Sequence, residues 1–287
     1  MRRQGRGPDP FTMNDVLAGA RAQVLHRAGC PLHFWLLGPA DRPLLVFTHG
    51  ATLDHRMFAA QLPVVVPQYR VLLWDVRGHG RSQPLGAPFA VPLVVEDLRA
   101  LLDQLGADQV VLVGQSLGTY VAQEFVFRYP ARVRALALVG GTCITLNRLT
   151  PWAAAALRLS PLLFALTPYA WLRWAFARAA ARTPAVQQYV YAAAGQIPRR
   201  AFLAIWDGTV RCLHYEAGYR ITQPVLLTHG AADRTGNIRQ IAPRWAARDP
   251  QVRYEVIPGA GHCANQDNPA AFNRVLREFL QAYVPST

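Results

Sequence analysis

Lysine is absent from this 287-residue chain, so all 30 basic residues are arginines, set against 17 aspartates and glutamates for a formal charge of +13. The arginines are scattered over nearly every segment rather than gathered into one stripe. No nucleic-acid-binding module accompanies them, so nucleic acid is not an expected partner. Cysteine is scarce. Cys30, Cys143, Cys212 and Cys263 lie far apart, with no C-x-x-C pair and no Cys/His ligand spacing, so spacing gives no support for a disulfide framework or a zinc site. Small buried or half-buried thiols in a reducing, cytoplasmic setting are the expectation. No apolar stretch reaches membrane-span length without an arginine or proline, so stable membrane insertion is not expected. The opening "MRRQGRGPDPFT" has no apolar h-region and is not a signal peptide. Residues 1–12 read as an expression-tag remainder ahead of Met13.

Apolar residues make up 52 % of the chain, enough for a large core. Short β-branched and leucine-rich runs alternate with helical patterns. "QVLHRAG" and "PLHFWLLG" form an N-terminal hairpin turning at Ala28-Gly29. "PLLVFTHG", "RVLLWDVRG", "QVVLVGQS" and "VRALALVGG" follow, apolar on both faces, as buried parallel strands are. "VEDLRALLDQLG" and "LGTYVAQEFVFRYP" are helices, the first ending at Gly106 and the second near Pro130. From Thr142 to Thr222 no strand pattern appears. Thr150-Pro151, Ser160-Pro161, Thr167-Pro168 and Thr183-Pro184 each match a capping residue followed by proline, so four short helices are expected to begin there. "QPVLLTHGAAD" and "VRYEVIPGAG" resume the strands, and "PAAFNRVLREFLQAYV" closes with an amphipathic helix. The expected fold is α/β: a mostly parallel twisted sheet flanked by helices. Residues 13–141 and 223–287 form its core, and residues 142–222 an inserted all-helical cap.

In open α/β sheets ligands bind outside the carboxyl ends of the strands. Gly114-Gln115-Ser116-Leu117-Gly118 lies at one such end, between a strand run and a helical pattern, where a nucleophile elbow belongs. A serine hydroxyl needs an adjacent base oriented by a carboxylate. Downstream, Asp233 ends the next-to-last strand run and His262 follows the last, in the order Ser, Asp, His. Each alone reads as a turn residue; all three at successive strand ends read as one catalytic unit. His26, His33, His49, His55, His79, His214 and His229 do not occupy a base's position. An oxyanion needs two donors: the N–H of Leu117 after the nucleophile, and the N–H of Ala51 in the loop after "PLLVFTHG". The glycines of "GAGHCANQDNP" are expected to let that loop bring the imidazole over the sheet edge. Cys263 is expected to take no direct part.

With "HGATLDHRMF", "DVRGHGRS", "GQSLG", "HGAADRTGN" and "GAGHCANQDNP" in this order, the chain resembles an α/β-hydrolase fold serine hydrolase of the esterase type. The resemblance runs from about Gln23 to the C-terminus. It implies a Ser116-Asp233-His262 triad, structural roles for Asp75 and Asp97, and no metal or organic cofactor. "HGAT" departs from the HGGG of some lipases and esterases, so that branch is not implied. Serine at the elbow sets the chain apart from the haloalkane dehalogenase and epoxide hydrolase branches, which place aspartate there. The partner implied is a small-molecule ester. Three activities stay open: a carboxylesterase for small to medium apolar esters; another acyl or C–C bond hydrolase, such as a lactonase, thioesterase or β-diketone hydrolase; and a slow-turnover ligand-binding or signalling protein. The aromatics of the insertion, Trp152, Phe164, Tyr169, Trp171, Trp174 and Trp206, read mostly as packing of the cap on the core, some as an apolar pocket wall. Arg158, Arg173, Arg178 and Arg182 interrupt that surface and weigh against a membrane-facing lid.

Overall fold

A computed structural model describes residues 17, 20, 22–146, 151–216 and 218–285; residues 1–12, and with them the tag reading, lie outside this set. Strands β1 (Gln23–Arg27) and β2 (Cys30–Leu37) form the expected hairpin. Ala28 and Gly29 both take positive φ, the backbone of a two-residue turn matched to strand twist. Then follow β3 (Leu44–Thr48), α1 (Leu62–Val65), β4 (Arg70–Trp74), α2 (Val91–Gln104), β5 (Val110–Gln115), α3 (Leu117–Arg128) and β6 (Val133–Val139). Four helices intervene: α4 (Pro151–Leu166), α5 (Tyr169–Ala180), α6 (Pro184–Gly195) and α7 (Arg199–Val210). The chain ends with β7 (Val225–Gly230), α8 (Ile238–Arg248), β8 (Val252–Ile257), α9 (Ala264–Asp267) and α10 (Pro269–Tyr283).

The eight strands form one sheet in the order β1-β2-β4-β3-β5-β6-β7-β8. From β4 to β8 every pairing is parallel; β1 and β2 are antiparallel. Alternate residues of each central strand serve opposite faces. Leu45 and Phe47 of β3 join Val111 and Val113 of β5 against Phe272, Leu276 and Phe279 of α10. Val46 and Leu112 face the other way, against Val94, Leu98 and Leu101 of α2 and Phe125 of α3. Both faces are covered, so the strands are apolar throughout. This layering aims the carboxyl ends of β3, β5, β6, β7 and β8 at one edge, beneath α4–α7.

The insertion differs from the sequence expectation in how its helices start. Ser160-Pro161 does not begin a helix; it lies inside α4. Pro161 has no N–H for the Leu157 carbonyl, and the Ser160 hydroxyl donates to that oxygen at 2.6 Å instead. Thr167 donates back to the Leu163 carbonyl, and α5 starts after Pro168 without a side-chain cap. Thr183-Pro184 does begin α6, yet the Thr183 hydroxyl donates to Asp267 rather than capping its own helix. Thr150 lies outside the described residues. A further start, Pro198 before α7, carries no Ser or Thr signal. The aromatics also divide. Phe164, Tyr169 and Trp206 join Phe176 and Phe202 in an edge-to-face cluster that binds α4, α5 and α7 together. Trp152, Trp171 and Trp174 are exposed rather than packed on the core, and Trp171 and Trp174 line a cavity, as expected of some of these aromatics. All four cysteines are free, and three are buried.

Candidate active site

Ser116 sits between β5 and α3 with φ +50 and ψ −111, outside the regions open to an ordinary L-residue. Its N–H donates to the Val139 carbonyl and its own carbonyl accepts from Thr119, so both sides of the strained turn are pinned. The flanking glycines are sterically required. A Cβ on Gly114 would lie 2.3 Å from the Gly118 oxygen, and one on Gly118 would lie 2.0 Å from the Thr48 oxygen.

Asp233 and His262, far apart in sequence, meet. His262 Nδ1 lies 3.0 Å from Asp233 Oδ2, and Asp233 is only 1 % exposed. Asp233 Oδ1 accepts from the Thr235 N–H at 2.8 Å. Burial alone would push the Asp233 carboxyl up; the His262 ring and the Thr235 hydrogen bond outweigh it and hold the group below the usual carboxylate range. An ionised carboxylate only accepts, so His262 Nδ1 carries the proton donated to Asp233. Ser116 and His262 line one cavity of about 930 Å3, as do Ala51 and Thr52. Leu117 opens α3, so its N–H is one of the amides a helix leaves without an internal acceptor.

The loop after β3 is braced from below. His49 Nε2 accepts the Val76 N–H, so its Nδ1–H donates to the Gly50 carbonyl. Burial lowers the pKa of this imidazole and favours the neutral form. Thr52 takes φ +66, a strained conformation for a β-branched residue. Sequence spacing gives no sign of it. His55 donates to Asp75 Oδ1 through both its backbone N–H and Nδ1, and Arg81 N–H donates to Oδ2. Asp97 holds Arg77 in a fully buried two-point pair. The expected structural roles of Asp75 and Asp97 therefore hold.

Four supporting residues escape a sequence reading. Gly140, after β6, has φ +62, and a Cβ there would sit 3.0 Å from His262 Nδ1. Gln115 Nε2 donates to the His262 carbonyl. Cys263 N–H donates to the Ala180 carbonyl at the end of α5, while burial pushes its thiol pKa up. Asp267 accepts from Gly261 N–H, Arg182 N–H and both donors of Thr183. It joins the loop carrying His262 to the α5–α6 connection. The residues after His262 read as open loop in the sequence but form the single turn of α9. Of the glycines in that loop, Gly259 takes φ +70, and Gly261 lies against Asp267 and Ala180.

A strained serine on a strand–helix turn, at the carboxyl edge of a mostly parallel sheet with a helical insertion after β6, defines a class of enzyme, the hydrolases built on this sheet. The model of the "Alpha/beta hydrolase family" matches residues 45–275, and the chain belongs to that family. It is similar to 3-oxoadipate enol-lactonase 2 of Acinetobacter baylyi, 25 % identical over 88 % of this chain and 94 % of that one. Among solved structures, a hydrolase from Pseudomonas aeruginosa aligns with TM-score 0.80 and 25 % identity, covering 91 % of this chain and 98 % of its own. A thermophilic esterase from Thermogutta terrifontis shares the fold with TM-score 0.79 at 23 % identity, covering 92 % and 98 %.

Proposed function

We propose that the protein is a serine hydrolase that cleaves carboxylic esters of small to medium apolar groups through an acyl-enzyme. The Ser116 hydroxyl attacks the ester carbonyl as His262 Nε2 takes its proton. The N–H groups of Ala51 and Leu117 receive the oxyanion. His262 then protonates the departing alcohol, activates a water against the acyl-enzyme, and returns the proton to Ser116. Asp233 keeps the proton on Nδ1 and stabilises the imidazolium. The observation that carries this reading is the buried Asp233–His262 pair opening onto the same cavity as the strained Ser116. Leu163, Phe164, Trp171, Phe176 and Trp206 on the cavity wall favour an apolar acyl or aryl group. Serine at the elbow disfavours opening an epoxide, which runs through an alkyl ester on a carboxylate.

Hydrolysis of a lactone by the same residues is the second reading, favoured by the similarity to an enol-lactonase over 88 % of the chain. A p-nitrophenyl ester series of increasing chain length, run beside a panel of lactones, separates the two. Turnover should fall by at least about 10⁴-fold in Ser116→Ala. No turnover by the intact protein, or turnover unchanged in that variant, would sink both.

A further inference from the structure

Most of the large apolar side chains exposed on the described surface lie on two adjacent helices. Trp152, Leu159, Leu162, Leu163 and Leu166 line α4, and Trp171 and Trp174 continue the patch on α5. Trp152 is 86 % exposed and Leu166 77 %. A soluble surface rarely gathers such residues without a partner. The arginines, which look scattered when counted along the chain, are segregated here by charge. Between Glu124 and Asp207 the sequence holds no carboxylate, yet α4, α5, α7 and the α5–α6 connection carry Arg158, Arg173, Arg178, Arg182, Arg199 and Arg200. Some of these have internal work. Arg199 donates to the Phe164, Ala165 and Thr167 carbonyls at the end of α4, and Arg173 donates to the Tyr191 hydroxyl. Arg158 on α4, Arg178 on α5, Arg182 after α5 and Arg200 on α7 are exposed, and the Arg178 guanidinium lies over the Trp174 ring.

We propose that the α4–α5 face is a peripheral docking surface for an anionic lipid bilayer. Leucines along α4 would enter the acyl boundary. The tryptophans would sit at headgroup depth, where an amphipathic ring is favoured. The arginines, which in the sequence weigh against a membrane-facing lid, suit an anionic surface: they would bury their stems and keep the guanidinium among lipid phosphates. Charge decides against a second copy of the chain. A two-fold interface through this face would set the arginines of α4 and α5 against each other, and neither helix carries a carboxylate to answer them, whereas an anionic bilayer supplies the opposite sign. No helix among the described residues is long and apolar enough to cross a membrane, so docking is at the surface. Leu163, Trp171, Trp174 and Arg178 belong both to this face and to the wall of the Ser116 cavity. An apolar ester could pass from the bilayer to Ser116 without crossing water, a delivery step that rests on the ester-hydrolase reading; the docking itself does not.

Vesicle co-sedimentation and tryptophan emission test it, with phosphatidylcholine vesicles prepared with and without phosphatidylglycerol. The protein should bind the anionic vesicles at low salt, shift its emission to the blue, and release as salt is raised. Leu162→Ser/Leu166→Ser should bind roughly a hundredfold more weakly, about tenfold for each leucine removed. It should hydrolyse a soluble short ester as before, since neither side chain lines the cavity. Ser116→Ala should bind vesicles like the parent, so a failure of the hydrolase reading leaves this outcome intact. Failure to bind anionic vesicles at low salt, or equal binding by the double variant, overturns the proposal. So does a lipid-free dimer that the double variant dissolves, which would assign the face to a second copy.

Discussion

Asp267→Asn isolates the link between the insertion and the loop carrying His262, because it changes one atom and leaves the side-chain shape intact. Oδ1 accepts from Thr183 N–H at 2.9 Å and from the Thr183 hydroxyl at 3.0 Å; Oδ2 accepts from Gly261 N–H at 2.8 Å and Arg182 N–H at 2.9 Å. An amide has one accepting oxygen. Whichever way it turns, an NH2 group faces at least one backbone N–H that cannot accept. Hydrogen bonds to a charged group contribute about 1.5–3 kcal/mol each. Asp267 is half-buried, so the lower end applies, and losing one or two gives a destabilisation of roughly 2–3 kcal/mol. For a chain of this size that is about 4–12 °C in Tm. Gly261 precedes His262 directly, so the freed loop should also misplace the imidazole. A displacement near 1 Å costs about a hundredfold in rate. Urea and thermal unfolding measure the first effect, and kcat on a soluble p-nitrophenyl ester the second. The variant should lose both, whereas Thr183→Val, which removes only the hydroxyl donor and leaves every backbone N–H an acceptor, should lose no more than about 1.5 kcal/mol and keep kcat. Unfolding within about 0.5 kcal/mol of the parent together with unchanged kcat would refute the coupling.

Asp233→Asn should lower kcat by about 10⁴-fold with little change in KM, because the amide no longer holds the proton on Nδ1 of His262; steady-state kinetics read the split. Asp75 sets the acid limb of stability. Burial alone would raise its pKa, but the His55 charge and hydrogen bond and the Arg81 N–H bring it from 3.8 down to about 2. A carboxylate with a depressed folded pKa stabilises above its unfolded value, so roughly 2 kcal/mol is present above pH 4 and is lost between about pH 4 and pH 2. Urea melts across this window should show the loss in the parent and a flatter limb in Asp75→Asn. Gly140→Ala adds a Cβ at positive φ, 3.0 Å from His262 Nδ1. It should cost about 1–2 kcal/mol by urea unfolding and slow ester turnover at least tenfold, as roughly estimated from strain and misplacement.

Much of the fold was legible because each central strand is covered on both faces and therefore writes itself as an apolar run, with glycine or polar residues where the chain leaves the sheet. The elbow was legible because strain at Ser116 demands glycine at 114 and 118, a demand that leaves a pattern in the sequence. The helices of the insertion were not as legible. Ser-Pro and Thr-Pro pairs suit a helix start, but Ser160-Pro161 is carried inside α4 because the serine hydroxyl takes over the carbonyl the proline frees. Nothing in the local chemistry of Thr183 or Asp267 reveals that they bond to each other across 84 residues.

By itself, the sequence determined the order of strands and helices and the strand-end positions of Ser116, Asp233 and His262, since these follow from local periodicity and turn chemistry. It also determined a stretch of the insertion with arginine and without carboxylates. Tertiary structure alone decided that His262 and Asp233 share a hydrogen bond, that Gly140 and Gln115 shape the imidazole's seat, and that the loop bearing it is tied to the α5–α6 connection. It also decided which aromatics of the insertion face inward and which face out. These are contacts between segments distant in the chain, fixed by how helices pack on a sheet, and residue spacing carries no record of them.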